Sequence, residues 1–175
     1  MFKNKKLHFL VSALFILMII LLPACTSSSK KKSGSGASAK IYGIDDFVNI
    51  EWFLEEFKTG SQVTKINRTQ KGNDFSDYFS LLMDWENISG TGAPNRYNSW
   101  YKTEDGNGMY IGVIRRTLMA TFVEPEELKE YQFFTFLEKV NKWKYNGEKL
   151  ELYTVDENDK ETVLVFLKRV SESDS

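Results

Sequence analysis

The chain has 175 residues with 23 basic and 24 acidic side chains, one histidine and one cysteine. Lys3, Lys5, Lys6, Lys30, Lys31, Lys32 and Lys40 all lie ahead of residue 41 and no acidic residue does, so residues 41–175 set 16 basic against 24 acidic groups, a net charge of -8. A segment that acidic is repelled by phosphate backbones, which excludes nucleic acid as an expected partner. With His8 and Cys25 both near the start, the remainder lacks the usual Ser–His or Cys–His pair and the usual transition-metal ligands.

Residues 1–24 show the three zones of an export signal: Lys3, Lys5 and Lys6, an apolar run over 7–22, and the small residue Ala24. The run is short for a hydrocarbon core that takes about 20 residues to span, although residues 1–24 together would also serve as an uncleaved anchor. The quartet Leu22-Pro23-Ala24-Cys25 resembles the bacterial lipoprotein signal, in which a large apolar, a variable and a small residue precede a cysteine that is lipidated and becomes the new N-terminus. Counting disposes of the other roles for Cys25. One cysteine forms no internal disulfide, and no second cysteine or nearby histidine completes a metal site. Acyl chains insert at about 0.8 kcal/mol per buried methylene, so the thiol is expected to be consumed as a membrane anchor, placing the protein in the cell envelope.

Residues 25–40 are Ser, Lys, Gly and Ala without a large apolar side chain, the composition of a disordered tether. Lys30, Lys31 and Lys32 either gain from an anionic surface beside the lipid or are solvated linker residues; both readings stand.

Residues 41–175 suit one domain with a sizeable core. At its front, "DFVNIEWFLEEF" supports a helix through Phe47, Ile50, Leu54 and Phe57 and equally a strand through Val48, Ile50, Trp52 and Leu54. The "GTGAPN" stretch at 90–95 is no phosphate cradle, because Asn95 replaces the third glycine and Pro94 removes a donor. It reads as a turn in which Gly90 and Gly92 adopt conformations other residues resist. Asn95, Arg96 and Tyr97 form the candidate contact loop, since a guanidinium beside an aromatic ring suits recognition. The alternative is that Asn95 caps a turn and Tyr97 packs inward.

"GMYIGVIRR" at 108–116 predicts one strand. A helix is predicted over residues 125–141, with Pro125 at its first position, Glu126, Glu127 and Glu130 near its positive end, and Phe133, Phe136, Leu137 and Val140 forming an apolar stripe. Residues 143–169 predict three antiparallel strands, joined at Asn146-Gly147 and at the polar turn "DENDK". That turn has Asp156, Asn158 and Asp159 at calcium-loop spacing, yet Lys160 takes a ligand position and Glu161 the place of the required glycine. The pairs Asp45-Asp46, Glu55-Glu56 and Glu126-Glu127 diverge on either a strand or a helix, so none is a ready acid/base pair. No catalytic residue, metal site or cofactor is predicted.

The ordered set of Trp52 and Leu54, "SGTGAPNRYNSWY", "IGVIRRTLMAT", the Phe-rich helix, Tyr-x-x-Gly-x-x-Leu-x-Leu at 145–152 and a closing strand resembles the META domain, also called the heat-shock HslJ-type domain, of bacterial envelope lipoproteins. The resemblance implies an α+β fold, mostly antiparallel β, as a small sheet or barrel with one packed helix, and makes "EWFLEEF" a strand. Where many relatives place cysteine this chain has Ala93-Pro94. The family is associated with stress responses and envelope integrity, and no catalytic residues carry over. Two functional readings follow: a non-enzymatic envelope module with a protein partner, or a binder of a small apolar ligand in the barrel interior.

Overall fold

The computed structural model describes residues 40–120 and 123–169; the expectations for the signal and tether, Cys25 included, lie outside the described residues. The described strands are β1 (Glu51–Thr59), β2 (Gln62–Lys65), β3 (Thr69–Gln70), β4 (Asn73–Asp74), β5 (Ser80–Met83), β6 (Asn87–Thr91), β7 (Arg96–Glu104), β8 (Gly108–Ile111), β9 (Arg115–Arg116), β10 (Lys142–Tyr145), β11 (Lys149–Val155) and β12 (Glu161–Lys168). A single helix, α1 (Glu130–Glu138), lies between β9 and β10. Eight strands close into an antiparallel ring in the order β1-β12-β11-β10-β8-β7-β6-β5. Closure removes the unpaired edges that an open sheet of this length presents to water.

The ambiguous front segment is strand. Along one edge β1 runs against β12, from Trp52 opposite Lys168 to Thr59 opposite Thr162. Its other edge pairs first with β5 and then, past an irregularity between Leu54 and Glu56, with β2. Arg68 occupies this change of partner, donating to the carbonyls of Leu54 and of Tyr78 (2.6 Å). Helix and strand readings had equal periodicity; ladder hydrogen bonds on both edges of β1 decide between them.

Inward positions alternate along the strands, Tyr97, Ser99 and Tyr101 in β7 and Leu150, Leu152 and Thr154 in β11, as period-two geometry requires. Trp52, Leu54, Leu81, Met83, Ile88, Leu164 and Phe166 fill the space between. At one end Phe47 closes the barrel against Trp143 (ring centroids 4.8 Å) and Tyr145 (5.7 Å), and Trp52 Nε1–H donates to the Phe47 carbonyl at 3.0 Å. At the other end lies α1, whose Phe133 meets Phe79 (5.1 Å) and Tyr97 (6.0 Å). Both stoppers and the core come from one compact unit, Lys40–Ser175, which therefore carries what it needs to fold by itself.

The helix is shorter than the sequence predicts. It begins at Glu130, and Pro125 lies outside it, because the Gln132 side chain accepts the Lys129 N–H (3.0 Å) and sets the terminus there. It stops at Glu138 because the Asn141 N–H turns to the Tyr153 carbonyl (3.0 Å) and enters the sheet. The expected single strand over 108–116 is also divided: β8 and β9 both pair with β7, but residues 112–114 break the run. Gly112 lies under the Trp100 indole, where an added Cβ would sit 2.5 Å from Nε1, and the Ile114 N–H goes to Glu138 Oε1 (3.0 Å).

The three C-terminal strands form as expected. Asn146 Oδ1 accepts the N–H groups of Glu148 and Lys149, with Gly147 at φ 99°. "DENDKE" is a hairpin turn in which Asp156 Oδ1 accepts from Lys160 (2.9 Å) and Asn158 (2.8 Å); the Lys160 N–H above all holds that carboxyl below its ordinary range.

Candidate functional site

The residues singled out in the sequence, Asn95, Arg96 and Tyr97, lie together at the end of the barrel that α1 covers, but in different surroundings. Asn95 is 5% exposed and Tyr97 3%, whereas Arg96 is exposed. The Tyr97 hydroxyl donates to the Ser80 carbonyl (2.9 Å), its ring packs edge-on to Phe134 (5.4 Å), and burial pushes its phenol far above the ordinary tyrosine range.

Asn95 uses its whole amide. Its Oδ1 accepts from Met119 N (2.6 Å) and Thr117 Oγ1 (2.9 Å), and its Nδ2 donates to Met119 O (3.2 Å) and Glu130 Oε2 (2.7 Å). Glu130 receives more: its Oε1 also accepts the Ala93 N–H (2.7 Å) and the Asn95 N–H (2.6 Å). A carboxylate only 8% exposed thus gathers three donors from the loop, clamping the segment around the cis Ala93-Pro94 bond onto the first turn of α1. The 117–119 segment is tied to the same loop through Asn95.

Glu130 lies in the first turn of α1, as expected, but it is buried and gathers the loop donors, a role the sequence reading did not assign to it. A signal was available. Glu130, Phe133 and Leu137 fall at i, i+3 and i+7, so Glu130 lies on the inward stripe. The glycines need a different explanation from the one expected, since neither Gly90 nor Gly92 has a left-handed backbone. Close approach excludes side chains instead. A Cβ on Gly92 would come within 2.6 Å of Phe134 Cζ and 2.8 Å of Glu130 Oε1, and one on Gly90 would collide with the Ser80 carbonyl.

The paired carboxylates are dispersed among local partners. Asp46 accepts the Gly43 N–H (2.8 Å), Glu56 pairs with Lys58 (3.1 Å), and Glu126 and Glu127 bind Lys71 and Gln70. Among the described residues, no group of three or more His, Cys, Asp or Glu side chains is placed to hold a metal ion. Two open surface depressions, of about 180 and 420 Å³, lie beside α1 with the β11–β12 turn and along the β10–β11 edge.

The Arg96 guanidinium makes no hydrogen bond or ion pair among the described residues; only its backbone is engaged, with Thr117. Arg96→Ala is therefore expected to change unfolding free energy by no more than about 0.5 kcal/mol in a denaturant titration. A larger loss would mean that the side chain supports the loop.

An antiparallel eight-stranded barrel filled by its own side chains and stoppered at both ends defines the class of protein. The META domain model matches residues 45–171, and the chain belongs to that family. It is similar in fold to a protein from Burkholderia xenovorans solved by NMR, with a TM-score of 0.52 and 15% identity over 82% of this chain and 99% of that one. No curated protein matches the chain.

Proposed function

We propose that the protein is a lipid-anchored module of the bacterial cell envelope that works through its surface, as a non-enzymatic partner-binding or envelope-supporting domain in the stress-associated role its resemblance implies. The observation that carries this reading is the filled interior. Phe133, Phe136, Leu137 and Val140 are all buried against the strands, and Phe47 closes the opposite end. An apolar ligand in the barrel would have to displace one of these stoppers, which speaks against the alternative of an interior ligand site.

Cys25 supplies the membrane link in this reading. Cys25→Ser is expected to shift the protein from the membrane fraction to soluble or unprocessed pools and to abolish labelling by radioactive palmitate. Unchanged partitioning with no label on the unmutated chain would replace the lipid anchor by an uncleaved signal anchor.

A further inference from the structure

The charge of the folded unit is unevenly distributed. Residues 87–103 and 106–123 contain no acidic side chain, although residues 41–175 carry 24 of them. These two stretches build β6, β7, β8, β9 and the segment that follows, and they hold Arg96, Lys102, Arg115 and Arg116. Among the described residues none of these four cations lies within ion-pair distance of a carboxylate.

Register sets most of the surface on the outer side of the barrel. In β7 the outward positions are Arg96, Asn98, Trp100 and Lys102; Tyr110 lies opposite Lys102 and Arg115 opposite Asn98. Trp100 and Tyr110 are exposed with ring centroids 5.3 Å apart, and the Lys102 ammonium sits 5.4 Å from the indole centre. Beside them the 113–119 ribbon presents Leu118, 91% exposed, and Met119, 59% exposed, next to Arg115; Arg116, opposite the inward Tyr97, turns the other way and lies 5.1 Å from the Phe134 ring of α1. Exposed Trp, Tyr, Leu and Met among unpaired Arg and Lys is the composition of a membrane–water interface, where amphipathic rings settle at headgroup depth and cations meet phosphates.

From this we infer that the β6–β9 face, with Arg96, Lys102, Arg115, Trp100 and Leu118 as its main contacts, docks on an anionic phospholipid surface. The inference rests on the lipid-anchor reading for its biological setting, and the length of chain ahead of the barrel favours a bilayer over a protein as occupant. A stretch of the length of 26–40 reaches at most about 50 Å, more than the roughly 30 Å length of a nine-residue strand, so its length lets an anchored barrel lay this face on its own membrane. The acidic remainder is repelled by the same surface, which selects this orientation over the others.

The test uses the folded unit Lys40–Ser175, which lacks Cys25, so its outcome is independent of whether that cysteine carries lipid. Flotation with phosphatidylglycerol–phosphatidylcholine vesicles is expected to carry the unit upward at low salt, less so as salt rises, and not with phosphatidylcholine alone. Each basic group at an anionic surface multiplies partitioning roughly fivefold, so Arg96→Gln with Arg115→Gln should lower it by about 25-fold. Leu118→Ser, at an exposed position, should weaken it separately, and an unchanged melting temperature in both variants shows that the fold is intact. Equal binding to neutral vesicles, no binding at low salt, unchanged partitioning in the folded Arg variant, or capture of an acidic protein without vesicle association would each overturn the inference.

Discussion

Glu130→Ala is expected to destabilise the folded unit by roughly 3 kcal/mol or more. The substitution removes the acceptor for the Ala93 N–H, the Asn95 N–H and Asn95 Nδ2, leaving buried donors unpaired at about 1–3 kcal/mol each. Glu130→Gln should lie between alanine and the unmutated chain. It keeps one carbonyl oxygen for the two backbone N–H groups but turns an amide NH₂ toward the Asn95 NH₂. Denaturant unfolding of the two variants provides the comparison. If alanine costs under about 1 kcal/mol, solvent replaces the lost acceptor and the carboxylate is not what holds the loop to α1.

Phe133→Ala is the second change with a large expected effect, a loss of about 3–5 kcal/mol, a major share of the roughly 5–15 kcal/mol that holds a domain together. The ring is fully buried and touches Phe79, Tyr97 and Phe134, so truncation opens a cavity where the helix meets the barrel. Tyr131→Ala on the exposed side of the same helix is the control, expected within about 0.5 kcal/mol. Similar melting temperatures for the two variants would mean that α1 is not a stopper and would reopen the barrel interior to ligands.

The candidate site was legible only in part. Arg96, Asn95 and Tyr97 could be selected from composition, but their division into one exposed and two buried residues depends on β7 alternation and on partners far along the chain. Tyr97 meets Ser80 and Phe134, and Asn95 meets Thr117, Met119 and Glu130. Nothing in the residues around Arg68 singled it out. Its task of capping the Leu54 and Tyr78 carbonyls exists because β1 changes partner there, a consequence of closure with no local signature.

Short-range chemistry carried what the sequence determined by itself. The Asn146-Gly147 and Asp156 turns form their hydrogen bonds within four residues, so the three C-terminal strands could be read in order, and the 3.6-residue stripe of Phe133, Phe136 and Leu137 marked the packed helix. The tertiary structure decided whether residues 51–59 form strand or helix, where α1 begins and ends, why Gly90, Gly92 and Gly112 admit no side chain, and that the sheet closes into a ring. In β1 the two periodicities balance, and the deciding energy is a ladder with β12 more than a hundred residues away. Backbone groups must find partners wherever the chain brings them, and that pairing across the fold leaves no trace in the local pattern of residues.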